Sequence, residues 1–279
     1  MNNELENLVK MNLSLMEDEA SRLIYLSQVY YQVTGDYAYI ADMLARLVHS
    51  YPESFSSEQF RKALEHVLPE IDKKIPVSRF MVDSGTMFFD PQIVCLTDHE
   101  VFCDCGALEM GTSLEFAYRV GDHFRAIHAF EPDPVCAEMC QANRIMFDKQ
   151  VRDRVFVHDF GLDETAGKKP FARSNVPGNS RIVTESEEVI EVRTLDSLEE
   201  LREVSFLKIH TEGSELAVIK GALETIRRNH PTLAVSLYHN LKELVNVPVL
   251  LHAAVPDYHF YMRHYSSGTS ESVLYAVVR

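Results

Sequence analysis

The stretch that decides the fold is VFCDCGALEMGTSLEFAYRVGDHFRAIHAFEPDP, Val101–Pro134. An apolar strand ends in Asp104, a glycine-bearing turn follows at Gly106 to Gly111, and after a helix-like run a second strand ends in Glu131. This is the layout of a nucleoside-binding α/β half. Glycine lets backbone approach a ligand, a helix N-terminus offers free N–H groups, and an acid about 20 residues on can accept ribose hydroxyls. It is not the dinucleotide fingerprint, because Leu108 stands where G-x-G-x-x-G needs a glycine to admit pyrophosphate. Asp104 beside the turn would repel phosphate and suits an ammonium group. S-adenosylmethionine, with an amino-acid head and no phosphate, therefore fits better than NAD.

Outward from this stretch, strands and helices alternate to the end of the chain. Strands are expected at 101–105, 126–130, 155–158, 189–192, 206–209, 233–238, 259–263 and 273–278. Helices are expected at 112–120, 134–147, 197–201, 214–229 and 241–251. Alternating βα units imply a mostly parallel sheet covered on both faces. The last two strands have no helix between them and read as an antiparallel hairpin. Ahead of this region, Tyr37, Ile40, Ala41, Leu44 and Val48 form one helical stripe, and Ala20, Leu23, Ile24 and Tyr31 another. A third helix is expected from Ser56, carrying Phe60, Ala63, Leu64 and Val67 and ending at Pro69. The expected division is a helical segment over 1–88, for packing or homo-oligomer formation, and an α/β domain over 89–279.

The chain's net charge of −15 is spread along its length and opposes generic nucleic-acid binding. No apolar run is long enough for a membrane span, and no secretory signal is evident, so a cytoplasmic location is expected. Cys95, Cys103, Cys105, Cys136 and Cys140 are odd in number and read as free thiols. The histidines show no metal-ligand spacing on a helix, so no metal site is expected.

In sheets of this kind ligands sit beyond the carboxyl ends of the strands, a rule that selects Asp104, Glu131, Asp159, His210 and His239 together. Asp133 reads as the cap of the helix starting at Pro134. In FLKIHTEGSE, Lys208, His210 and Glu212 alternate and would project to one side of an extended backbone. Lys208 needs a partner inside an apolar strand, with Glu212 or Asp196 as candidates. His210 at the strand tip is a candidate general base, or a hydrogen-bonded structural histidine. Tyr238-His239 and Arg263-His264-Tyr265 could hydrogen-bond a hydroxylated substrate.

These pieces in this order resemble the FkbM family of S-adenosylmethionine-dependent methyltransferases. The carriers are FFDPQIVCL, DCGA at Asp104–Ala107, FEPDP at Phe130–Pro134, TLDS at Thr194–Ser197, LKIHTEGSELAVIKGA at Leu207–Ala222, LYH at Leu237–His239, RHY, and SVLYAVV. The resemblance implies a class I methyltransferase fold: a Rossmann-like, mostly parallel seven-stranded sheet with an antiparallel last strand. It implies O-methylation of a sugar, polysaccharide or related metabolite. By motif position Asp104, Gly106 and Glu131 would hold the cofactor, and Lys208, Glu212, His239 and His264 would line the reaction pocket; the reading of the turn and the strand tips adds Ala107, Gly111 and Asp159 to the cofactor set and His210 to the catalytic one. The family usually carries aspartate where this chain has His210, and a glycine closer to the Gly-Ala pair than Gly111. Met110 is expected to narrow the methionine space. A non-catalytic, partner-binding member of the same fold is the competing expectation.

Overall fold

The computed structural model describes residues 3–50, 86–266 and 268–279, without the side chains of 45 and 47–50. The expected helix from Ser56 lies outside the described residues. The α/β part opens with β1 (Val101–Cys105), α4 (Gly111–Arg119), β2 (Ala126–Phe130), α5 (Pro134–Asn143) and β3 (Val155–His158). After an excursion, β8 (Phe206–Ile209), α6 (Glu215–Lys220), α7 (Leu223–Asn229), β9 (Thr232–Ser236), α8 (Leu241–Ala254), β10 (His259–His264) and β11 (Ser272–Val277) complete it. The main sheet has seven strands in the order β10-β11-β9-β8-β1-β2-β3. β11 runs antiparallel to both neighbours, while β1, β2, β3, β8 and β9 pair in parallel. The expected fold class is present.

Strand alternation feeds two cores. Phe102, Ile127, Ala129, Phe206, Val273 and Tyr275 face one side, where Phe116 of α4 stacks on Phe102. Cys103, Cys105, Phe130, Leu207, Ile209 and Val235 face the other. Cys103 and Cys105 share a face as expected, with their sulfurs 3.6 Å apart. Four thiols are buried; Cys95 is exposed.

The excursion between β3 and β8 departs from the sequence reading. β4 (Gly161–Leu162), β5 (Gly167–Ala172), β6 (Arg181–Ile182) and β7 (Val189–Arg193) form a separate sheet in the order β4-β7-β5-β6. The expected strand at 189–192 therefore belongs to this small sheet. Its core is only Phe171, Ile190 and Val192, so apolar periodicity gave little warning of its shorter strands. The helix expected at 197–201 is two 3₁₀ turns, Leu195–Ser197 and Glu199–Leu201. The run at 214–229 breaks into α6 and α7 at Gly221, where an added Cβ would lie 2.1 Å from the Asp163 carbonyl oxygen.

The helices α1 (Asn3–Leu15), α2 (Glu19–Thr34) and α3 (Ala38–Ser50) pack on the β10 side of the sheet. Asp18 caps α2 by accepting from Ser21 N at 2.7 Å, and Gly35 ends it in the left-handed region at φ 71°. Ala20, Ile24, Ile40, Ala41 and Leu44 are buried as the stripes predict. Tyr25 and Val29 are buried as well, because α2 is sandwiched between α3 and β10. Ser21 Oγ accepts from Met262 N at 2.9 Å, and Arg263 pairs with Asp18 at 2.7 Å. Asn12 Nδ2 donates to Tyr25 Oη at 2.7 Å and to the Val245 carbonyl of α8 at 2.8 Å. The β10 edge is thus covered rather than open. No helix among the described residues is long and apolar enough to cross a membrane.

Asn12→Ala leaves two buried groups without their donor. It is expected to cost about 2 kcal/mol, read as a lower midpoint at unchanged slope in urea denaturation.

Candidate functional site

The parallel register sets Asp104 of β1 beside Lys208 of β8. Both are buried, and Lys208 Nζ lies 2.8 Å from Asp104 Oδ1. Ser113 of α4 donates to Asp104 Oδ2 at 2.7 Å, and Lys208 donates to the Gly106 carbonyl at 2.6 Å. The partner of Lys208 is therefore Asp104, not Glu212 or Asp196. Asp196 instead accepts from the backbone N–H groups of Glu224 and Thr225 at 3.0 and 2.8 Å, at the start of α7. A carboxylate expected to meet a ligand's ammonium group meets an internal one.

This ion pair anchors the turn. Gly106 has φ 80°, and a Cβ there would lie 1.8 Å from the His210 carbonyl oxygen, so only glycine fits. Gly106 and Ala107 both donate to the Phe130 carbonyl, at 2.9 and 3.0 Å. Leu108 and Met110 take left-handed φ of 55° and 70°. Met110 is fully buried in the core with Phe102 and Phe116. It does not narrow a ligand space as expected; the left-handed turn swings its side chain inward.

Two clefts flank the turn. The first is lined by Phe130, Leu162 and Ile182 together with Glu131, Asp133, His210 and Glu212. Part of its wall is the small sheet, tied to Asp133 by Ser180 Oγ at 2.7 Å. The second lies at the start of α4 between Phe88, Ala107, Glu109, Gly111, Thr112 and Glu115. Gly106, Leu108 and His210 border both.

Glu131 accepts from Leu108 N and Asp133 N, each at 2.9 Å. Burial outweighs those bonds and pushes its carboxyl up to about 7. Asp133 caps α5, accepting from Val135 N at 2.9 Å.

At the tip of β8 a cluster assembles. His210 Nε2 lies 2.9 Å from Tyr238 Oη and 3.2 Å from Glu212 Oε1. His239 has Glu215 Oε1 3.2 Å from Nδ1 and Glu212 Oε2 3.6 Å from Nε2. Glu212 sits at φ 53°, a left-handed position for a non-glycine residue. Glu215 accepts from Thr211 N at 2.8 Å and Gly213 N at 3.1 Å, which fixes the loop. Burial opposes charge throughout. It is overridden at Glu212, which His210 and His239 hold at about 2, and at His239, which Glu212 and Glu215 push up to about 10. Burial and then the Glu215 charge push Glu243 up to about 8.

Of the sequence-selected residues, the structure gathers Gly106, Ala107, Gly111, Glu131, Lys208, His210, Glu212 and His239 around this junction. Asp159 is exposed and borders neither cleft. His264 is not in the cluster: its ring is buried, with Nδ1 2.8 Å from Ser272 Oγ and Nε2 3.1 Å from the Gly268 carbonyl oxygen. Glu215 and Glu243 were not singled out from sequence. The signal was there: Asn240 and Glu243 have capping-box spacing, and Glu215 follows Gly213 by two residues.

The Methyltransferase FkbM domain model matches residues 104–265, more than half of the chain. The chain belongs to this family. Its fold is the class I methyltransferase fold. A crystal structure of methyltransferase FkbM from Methylobacillus flagellatus superposes with a TM-score of 0.71 at 20% identity, covering 98% of this chain and 59% of that one. This chain therefore spans less than two thirds of that relative. The precorrin-6y C5,15-methyltransferase from Geobacter metallireducens gives 0.41 at 16% identity, over 75% of this chain and 93% of that one. No curated protein matches the sequence.

Asp104→Asn would leave Lys208 charged and buried without its counterion. An expected loss of about 3–5 kcal/mol would appear in denaturant melts. Asp104→Asn combined with Lys208→Met should recover part of it, since the stranded charge is gone.

Proposed function

We propose that this FkbM-family methyltransferase uses S-adenosylmethionine to methylate a hydroxyl of a sugar or a related hydroxylated metabolite. The observation that carries the proposal is the junction itself: two clefts of different chemistry meet at Gly106, Leu108 and His210.

The cofactor is tested by the charges around it. The first cleft carries Glu131, Asp133 and Glu212 against Arg181, a balance hostile to a pyrophosphate and acceptable to a nucleoside. Glu131 would accept ribose hydroxyls, with Phe130, Leu162 and Ile182 as apolar walls for a base. In the second cleft Glu109 and Glu115 can face an ammonium group, and the N-terminus of α4 at Gly111 and Thr112 a carboxylate. Asp104, with both oxygens spent on Lys208 and Ser113, contributes by holding the turn. When bound, the cofactor supplies a methyl group on a sulfonium centre.

The chain's own residues must then align a weakly acidic hydroxyl and accept its proton. Alignment can supply much of the rate. A third cleft, formed by Tyr31, Gln32, Gly35, Tyr238, His239, Thr269 and Ser270, shares His239 with the cluster. Its neutral hydroxyl and amide groups suit a polyol. His210 and Glu212 border the first cleft and His239 the third, so the cluster connects the two, with His210, which lines both cofactor clefts, as the candidate to take the proton.

Calorimetry with S-adenosylhomocysteine is expected to show binding, with NAD giving none. A folded chain that binds neither would sink the proposal and favour the partner-binding reading. Because Glu131 is neutral below about 7 and charged above it, affinity should rise as pH passes from 6 to 8 and then level. Glu131→Gln should weaken binding by about tenfold or more and flatten that profile. With labelled methyl donor and a panel of sugar acceptors, His210→Ala should cut turnover about 100-fold or more while S-adenosylhomocysteine affinity stays within about twofold.

A further inference from the structure

The cluster at the tip of β8 has a geometry that hydrogen bonding does not account for. Glu212 Oε2 lies 3.6 Å from His239 Nε2, beyond hydrogen-bond length. Neither ring nitrogen of His239 makes an aligned hydrogen bond, although both are shielded from solvent. One donor atom each from His210, Glu212 and His239 lies within 4.8 Å of the others.

These separations are those of ligands around an ion. Two donors each about 2.1 Å from one metal stand about 3.0–3.6 Å apart when the angle between them runs from square to trigonal. Glu212 Oε1 is 3.2 Å from His210 Nε2, and its Oε2 is 3.6 Å from His239 Nε2. The surroundings also match what a metal-bound imidazole needs. Glu215 lies 3.2 Å from His239 Nδ1, the nitrogen turned away from Glu212, where a carboxylate could take up the N–H of a metal-bound imidazole once the ring aligns. Glu215 is itself fixed by the amides of Thr211 and Gly213. The left-handed φ at Glu212 holds its carboxylate between the two imidazoles at a local cost, as at ligand clamps.

We propose that His210 Nε2, the Glu212 carboxylate and His239 Nε2 form a three-ligand site for a divalent first-row transition ion. Two imidazoles and one carboxylate suit zinc, iron, manganese or cobalt better than calcium or magnesium, which prefer all-oxygen shells. All three side chains are half-buried, which leaves solvent access to the remaining coordination positions. His210 and Glu212 border the first cleft and His239 the third. Tyr238 Oη, now 2.9 Å from His210 Nε2, would turn to an ion-bound water or hydroxyl. What the ion does there rests on the methyl-transfer reading. As a Lewis acid it would lower the pKa of an acceptor hydroxyl bound to it, so that with the ion in place His210 serves as a ligand and the proton leaves to water instead of to the imidazole. Binding of the ion does not depend on that reading.

The test is titration of the chelator-treated full chain with Co²⁺, followed by its d–d absorption. Saturation at one ion per chain is expected. Glu212→Gln and His239→Gln should each weaken uptake about 100-fold or more, while Glu191→Gln, on the exposed surface, leaves it unchanged. Circular dichroism checks that each variant is folded, and His210→Asn replaces any that is not. Lack of one-to-one uptake by the wild type, or equal uptake by wild type and ligand variants, overturns the site. S-adenosylhomocysteine calorimetry on the same samples separates the two claims. Cobalt uptake without nucleoside binding sinks methyl transfer and keeps the site, whereas nucleoside binding without uptake removes the site alone.

Discussion

One buried ion pair sets the terms for everything around the junction. Asp104 and Lys208 face each other across adjacent parallel strands, away from water. Burying two charges is tolerable only when each finds further partners. Here Ser113 completes the carboxylate and the Gly106 carbonyl completes the ammonium. The pair thereby joins β1, β8, the start of α4 and the glycine turn into one unit. The turn, so fixed, presents the Leu108 N–H to Glu131 at the tip of the next strand. The shape of both clefts follows from this chain of contacts.

The fold was legible because its strands are short apolar runs punctuated by charged tips, and parallel sheets demand that pattern. The small sheet was not, because β4 and β6 are two residues each and β5 carries two lysines and a proline. The site was legible in part for the same reason. Strand-tip residues such as Glu131, His210 and His239 are placed by topology. The partner of Lys208 was missed because it depends on strand register rather than on neighbours in sequence. His264 was overread: it sits at a strand end, but its bonds to Ser272 and Gly268 are local to the hairpin. Met110 was misjudged because sequence gives a side chain's size and not its direction.

The acids of this chain are sorted by environment rather than by identity. Glu131 and Glu243 are pushed up by burial, whereas Glu212 is held down by two imidazoles. Backbone amides work against burial at Glu131 and Glu243 without reversing it. Thr211 and Gly213 give their N–H groups to Glu215, while the Leu216 N–H goes to Glu243. A loop that would otherwise expose unpaired amides is thereby knitted to the carboxylates behind the cluster.

The N-terminal helices are woven into the same region. Gln32 donates to the Tyr238 carbonyl at 2.6 Å, one residue before His239, and Gln28 donates to the Thr269 carbonyl at 3.2 Å. Both contacts touch the third cleft. A chain trimmed to the span that the family model recognises would lose these struts along with the cover over β10. It would also lose β11 and the first three residues of β1, leaving β9 and β10 without the strand that joins them. The family-matched span is thus shorter than the stretch of polypeptide that these contacts hold together.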